Sequence, residues 1–232
     1  MSWVCVVPVK GSVAAKSRLG ALPETFPARG ELAEAFALDT VAALLAAGLV
    51  QQVLVVTADP GAAGPLAALG AQIVPEPAPT DATDAAAATP DAPARSDAAS
   101  RDPLNAAIAA GIRVAQERYP LCNVAVLTGD LPALTVADVE ATLTAASAHD
   151  RAMVADEEGT GTTTLLARAG IAITPRFGLG SRAAHEAAGH VPLDLPATAS
   201  IRRDVDTIDN LAEVLRRGVG AHTSALIARS QR

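Results

Sequence analysis

Short, β-branched apolar runs alternate along this chain with longer stretches whose apolar residues recur at helical spacing. Trp3–Val9 is a buried-strand pattern that runs through Pro8 into Lys10-Gly11, a loop signal. Glu31–Ala47 then places Leu32, Ala35, Phe36, Val41, Leu44 and Leu45 on one helical face and stops at Gly48, a C-cap candidate. Val53–Thr57 predicts a second buried strand, closed by Ala58-Asp59-Pro60, and a short helix and a third strand at Ala71–Val74 follow. Leu104–Arg118 reads as a helix, Asn123–Thr128 as a fourth strand and Val136–Ser147 as another helix.

The last third is less regular. Arg151–Ala155 and Thr162–Ala167 predict strands around the turn Glu157-Glu158-Gly159-Thr160-Gly161. A loop, Phe177-Gly178-Leu179-Gly180-Ser181, leads to a helix from about Arg182, and Asp206 or Thr207 is an N-cap candidate for a terminal helix. The βαβα alternation predicts an α/β fold: one mostly parallel twisted sheet with helices on both faces. In such sheets ligands bind beyond the carboxyl ends of the strands.

Residues 75–103 break the pattern. Pro, Ala, Asp, Thr and Ser dominate there, and no apolar residue is larger than Ala until Leu104. Such a stretch cannot bury enough apolar surface to offset its ordering entropy. The expectation is one domain over residues 1–232 that carries a mobile low-complexity loop at 75–103.

Composition changes the picture in two respects. Hydrophobic residues make up 50 % of the 232 and aromatics only 2 %, so the core must be Val, Leu, Ile and Ala. The formal net charge of -7 argues against nucleic acid or an anionic membrane as partner, although a local basic cluster could still hold a small anion. No apolar run approaches the ~20 residues that span a bilayer, and the first residues lack the positive region of a signal peptide. Cys5 and Cys122, far apart and in apolar contexts, read as buried free thiols of a cytoplasmic protein.

Four segments carry candidate chemistry. Lys10, Lys16 and Arg18, with Gly11 and the hydroxyl of Ser17, fall within one loop leaving the first strand. Backbone N–H groups, Lys and Arg in such a loop can cradle phosphate oxygens, although an ordinary solvated loop has the same composition. Asp130 follows the fourth strand directly, where it can hold a divalent cation or simply serve a turn beside Gly129 and Pro132. Asp204 and Asp206 would face one side of a strand and could share that cation, or they could be part of an N-capping cluster with Asp209 and Asn210. Finally, Gly159–Thr163 and Arg176–Arg182 combine small, hydroxyl and basic residues into a possible second anion pocket, with Ser181 near a helix start. The four histidines lack zinc-ligand spacing, and there is no GxSxG elbow.

Taken in order, PVKGSVAAKSRLG, LTGDLPALT, GTGTTTLL, FGLGS and RDVDT resemble the guanylyltransferases of deazaflavin coenzyme biosynthesis, over about Val4 to Leu215. That family includes the phosphoenolpyruvate and 2-phospho-L-lactate guanylyltransferases. The resemblance implies a single-domain, Rossmann-like nucleotidyltransferase fold. It implies that Lys10, Lys16 and Arg18 contact the triphosphate of GTP, with Gly11 and Ser17 beside them. Asp130, Asp204 and Asp206 would hold Mg²⁺, and Thr163, Gly178 and Ser181 would bind a phosphorylated three-carbon acid. A Gly-Leu-Asn element of the family, at the nucleoside end of the site, corresponds to Pro103-Leu104-Asn105 here, so Leu104 and Asn105 would contact the nucleotide.

Within that family the chain is similar to actinobacterial members in its FGLGS element and Ala-rich composition, which favours phosphoenolpyruvate over phospholactate as acceptor, with 3-phosphoglycerate a further alternative. The expected product is enolpyruvoyl-2-diphospho-5'-guanosine, which a downstream deazaflavin transferase could take up directly. A molybdopterin or sugar-phosphate nucleotidyltransferase is the nearest alternative, though the scarcity of aromatics disfavours a pterin-stacking pocket. A nucleotide-binding regulator that kept the fold is the alternative outside enzymes.

Overall fold

The computed structural model describes residues 1–10, 19, 22, 26–77 and 102–231. Within them the apolar runs form β1 (Trp3–Pro8), β2 (Val50–Thr57), β3 (Gln72–Pro75), β4 (Asn123–Leu127), β5 (Arg151–Ala155), β6 (Thr162–Ala167) and β7 (Val191–Pro192). These join one sheet in the order β3-β2-β1-β4-β6-β5-β7. The helices are α1 (Arg29–Leu45), α2 (Pro60–Ala68), α3 (Pro103–Arg118), α4 (Val136–Ala146), α5 (Ser181–Ala187), α6 (Ile208–Arg217) and α7 (Ala221–Ser230).

Central β1 is buried at every residue, because both of its faces are covered. Trp3, Cys5 and Val7 pack with Ala37, Val41 and Leu44 of α1, Leu66 of α2 and Leu143 of α4. Val4 and Val6 face the other way, onto Ala107, Ile108 and Ile112 of α3. Period-two alternation is therefore invisible in the sequence of this strand, which reads as a continuous apolar run. Each fully buried Val or Leu contributes roughly 1.5–3 kcal/mol. A third cluster joins Leu32 and Phe36 of α1 to Leu211 and Val214 of α6 and Leu226 of α7.

Pairing is parallel from β3 through β2 and β1 to β4, while β6 runs antiparallel to both β4 and β5. One reversed strand has a functional consequence: the start of β6, not its end, lies at the carboxyl edge of β4, with Thr164 opposite Leu127.

Several details differ from the sequence expectations. Helix α3 begins at Pro103, with Asp102 as N-cap accepting from the Leu104 N–H at 2.9 Å. Proline suits that first helical position, where no N–H is needed. Residues 204–206 are not a strand; they form an irregular segment after a 3-10 turn at Ser200–Arg202. Strand β7 and helix α7 were not anticipated. Helix α7 is anchored by Asp39, a buried aspartate inside α1 whose carboxylate accepts from the N–H groups of His222 (2.9 Å) and Thr223 (3.0 Å) at the helix start. A carboxylate there satisfies orphan N–H groups and complements the helix dipole. Most of the 75–103 segment, residues 78–101, lies outside the described residues. Both cysteines are buried and free, and burial pushes the Cys5 thiol up to about 12. Among the described residues no helix is long and apolar enough to cross a membrane.

Candidate functional site

A cleft of about 490 Å³ opens at the carboxyl edge of the sheet. One wall is built from the exits of β1 and β4. Pairing of β1 with β2 continues past the strand through Val9, whose N–H donates to the Val56 carbonyl at 2.9 Å, and this sets Lys10 at the rim. The β4 exit presses against the same backbone at Gly129, where a Cβ would stand 3.1 Å from the Pro8 carbonyl and 3.4 Å from the Val7 and Val9 side chains. A side chain there would push the two loops apart by a few tenths of an ångström, so glycine suits this close approach. Asp130 follows at once. Its peptide segment is held from three directions: the Thr40 hydroxyl of α1 accepts from the Leu131 N–H at 3.1 Å, the Val205 N–H donates to the Asp130 carbonyl at 3.0 Å, and the Gly220 N–H donates to the Pro132 carbonyl at 2.8 Å.

That bond to Val205 carries the second pair of carboxylates into place. Val205 is fully buried, whereas Asp204 and Asp206 on either side of it line the cleft. The alternation expected of a strand is thus kept by an irregular segment without a strand ladder. One carboxylate oxygen from each of Asp130, Asp204 and Asp206 lies within 4.8 Å of the other two. Oxygens bound to a single Mg²⁺ at about 2.1 Å lie at most about 4.2 Å apart, so small side-chain rotations would close the set around it. Three hard oxygen donors fit such an ion and suit a soft metal poorly.

The opposite wall comes from the start of β6 and the loop before α5. Asp156, at the end of β5, folds the turn back on itself by accepting from the N–H groups of Thr160 (2.9 Å) and Gly161 (2.7 Å). Thr160, Gly161 and Thr162 then line the cleft, facing Phe177 to Ser181. His185 of α5 ties the two segments together. Its Nε2 accepts from the Arg176 N–H at 2.9 Å, so Nδ1 carries the proton and donates to the Thr162 hydroxyl at 3.0 Å. Burial, with the neighbouring His190 and Arg176, lowers its pKa to about 4 and keeps the ring neutral.

Seven of the residues singled out in the sequence meet in this cleft: Lys10, Leu104, Asp130, Gly178, Ser181, Asp204 and Asp206. Gly11, Lys16, Ser17 and Arg18 lie outside the described residues. Two assignments are revised at the level of the side chain. Thr163 is fully buried, does not line the cleft and donates its hydroxyl to the Ile201 carbonyl at 2.7 Å, because strand alternation turns it away from the cleft that Thr162 faces. Any contact it makes with a ligand falls to its main chain. Asn105 is also buried and absent from the lining, with its amide bound to the Phe177 backbone. Sequence reasoning passed over Asp156, although the rule that found Asp130, an aspartate at the carboxyl end of a strand, applies to it equally. His185 had no local signal.

The cleft carries Asp130, Asp156, Glu157, Glu158, Asp204 and Asp206, against Lys10 among the described residues. Carboxylates repel a polyphosphate, and a divalent cation bound among them would offset that repulsion.

No family model matches the chain. It is 45 % identical over 229 residues to a phosphoenolpyruvate guanylyltransferase of Streptomyces scabiei, covering 99 % of this chain and 97 % of that one. A phosphoenolpyruvate guanylyltransferase of Thermomonospora curvata is 40 % identical, with 99 % and 90 % covered. Among solved structures, 4-diphosphocytidyl-2C-methyl-D-erythritol synthase matches with a TM-score of 0.58 at 13 % identity, covering 93 % of this chain and 97 % of that one. A cytidylyltransferase of Leptospira borgpetersenii matches with a TM-score of 0.51 at 13 % identity, with 98 % and 93 % covered. At such low identity the structural matches speak for the nucleotidyltransferase fold alone.

Proposed function

The chain belongs to the phosphoenolpyruvate guanylyltransferase family, and from that membership we propose that it condenses phosphoenolpyruvate with GTP in a Mg²⁺-dependent reaction of deazaflavin coenzyme biosynthesis. The observation that carries this reading is one cleft with two unlike walls: three convergent carboxylates, Asp130, Asp204 and Asp206, opposite the small-residue loop Gly178–Ser181.

A phosphate oxygen of phosphoenolpyruvate attacks the α-phosphorus of GTP. The new P–O bond forms as the α–β phosphoanhydride bond breaks, giving enolpyruvoyl-2-diphospho-5'-guanosine and pyrophosphate. No general base is required, because a phosphate monoester with a second pKa of about 6 is already ionised at neutral pH. The difficulty is to align two polyanions. Asp130, Asp204 and Asp206 would hold the Mg²⁺, which when bound neutralises charge on the triphosphate and on the departing pyrophosphate. Lys10, at the exit of β1, adds a fixed cation on the same side, and family resemblance assigns the same task to Lys16 and Arg18. Ser181 and the backbone about Gly178 orient the acceptor, with alignment itself contributing to the rate.

Pyrophosphate release tests the reading directly. With GTP and Mg²⁺, release is expected with phosphoenolpyruvate and expected to vanish on chelation by EDTA. Release with 2-phospho-L-lactate or 3-phosphoglycerate instead would move the acceptor, and release undiminished by EDTA would remove the metal.

A further inference from the structure

Asn105 occupies the third position of α3 and is buried, with only 6 % of its surface exposed. Its amide makes three hydrogen bonds. The side-chain oxygen accepts from the Phe177 N–H at 2.8 Å, while the NH₂ group donates to the Phe177 carbonyl at 2.9 Å and to the Asp102 carboxylate at 3.0 Å. An N–H on one side and two acceptors on the other fix which end of the amide is oxygen. This is the pairing of one strand residue with another, supplied by a side chain from a different layer of the fold. Asp102 holds the amide in plane and at the same time caps α3 through the Leu104 N–H.

Phe177 begins the segment on the acceptor wall. Its ring is buried in the second core cluster and stands edge-on to His185, with ring centroids 5.2 Å apart. Beyond it, Gly178 (φ +125) and Gly180 (φ +70) take backbone conformations that favour glycine, and no atom beyond the chain neighbours lies within 4 Å of where a Cβ at either would stand. The loop is therefore suspended at its N-terminal end from two buried side chains, Asn105 at Phe177 and His185 at Arg176. Leu104, the neighbour of Asn105, lines the cleft.

We propose that Asn105 is a positioning residue for the acceptor, not a nucleotide contact: it sets the Phe177–Ser181 loop through the Phe177 backbone and ties it to the first turn of α3. This rests on the reading that the phosphorylated acid is held by Gly178–Ser181. Asn105 touches neither substrate; it fixes the height and tilt of the loop that does.

The test compares Asn105→Ala and the isosteric Asn105→Asp with the wild-type protein, in steady-state pyrophosphate release and in amide hydrogen exchange over residues 176–181. Asn105→Asp keeps the acceptor for the Phe177 N–H but sets a carboxylate against the Phe177 carbonyl and Asp102. Expected are a rise of at least tenfold in the KM for phosphoenolpyruvate, a GTP KM within twofold of wild type, and faster exchange over 176–181. A rise in the GTP KM with the acceptor KM unchanged would overturn the proposal in favour of a nucleotide contact. Parallel rises in both, or no change in either, would also overturn it. Should the wild-type protein release no pyrophosphate with any phosphorylated acid, the proposed reaction fails separately. Exchange then decides the brace, and unchanged exchange over 176–181 in both variants would sink it.

Discussion

The two walls of the cleft are held by different physics. On the side of the three aspartates, backbone carries most of the geometry: the Asp130 segment is pinned by the Val205 and Gly220 N–H groups and by the Thr40 hydroxyl, which accepts from the Leu131 N–H, and the two other aspartates follow from alternation about a buried valine. On the side of the Phe177–Ser181 loop, side chains carry it: the buried Asn105 and His185 and the half-buried Asp156 each bind main-chain groups of segments distant or reversed in the chain. A wall made of strand exits is as rigid as the sheet, whereas a wall hung from side chains can be retuned by single substitutions. The difference predicts that changes among the three aspartates abolish turnover, and that changes around the Phe177–Ser181 loop shift affinity and stability.

The strongest challenge to that division is Asp130→Asn. At saturating Mg²⁺ it should lower turnover by at least about 100-fold, on the order of 3 kcal/mol of transition-state stabilisation, with the melting temperature little changed. Near-wild-type turnover would remove Asp130 from the metal site. Next comes Gly161→Ala, whose added Cβ would collide with the Asp156 carboxylate. Opening that turn should cost roughly 1–3 kcal/mol in denaturant unfolding and raise the acceptor KM more than it lowers kcat. A variant with wild-type stability would show that the turn is looser than its hydrogen bonds suggest.

A smaller effect comes from His185. Its pKa is lowered from 6.5 in the unfolded chain to about 4 in the folded one, so the unfolded state binds more protons between those values. Its contribution is therefore complete above pH 6.5 and is lost as pH falls towards 4, by on the order of 2 kcal/mol. His190, also lowered chiefly by burial, acts with the same sign. Thermal unfolding followed from pH 7 to pH 4 should fall more steeply for wild type than for His185→Gln, and parallel curves would contradict the assignment. Smallest is the behaviour of Cys5: a thiol raised to about 12 by burial in the core should resist alkylation at pH 8 until the protein is unfolded. Labelling of Cys5 in the native protein would mean that the central strand opens locally.

Much of this was legible in the chain. The runs at Trp3–Val9, Val53–Thr57 and Asn123–Thr128 announced buried parallel strands because both faces are covered, and β5 and β6 match their expected bounds. Asp130 was found because chain direction alone puts the residue after a parallel strand at the ligand edge. Asp204 and Asp206 were found for a reason that was only half right, since their common facing comes from a buried Val205 in an irregular segment. Family resemblance placed Thr163 and Asn105 at ligands, yet the side chains of both bind backbone instead.

What the sequence determined by itself was therefore local and periodic: burial on two faces, helix starts, aspartates at strand ends. The reversal of β6, which brings Thr160–Thr162 to the cleft, was decided only in three dimensions, because strand direction depends on which neighbour accepts the edge. The same holds for the reach of Asn105 across 72 positions to Phe177 and of Asp39 across 183 to α7. A buried amide or carboxylate must find partners, but nothing in its neighbours along the chain says where those partners are.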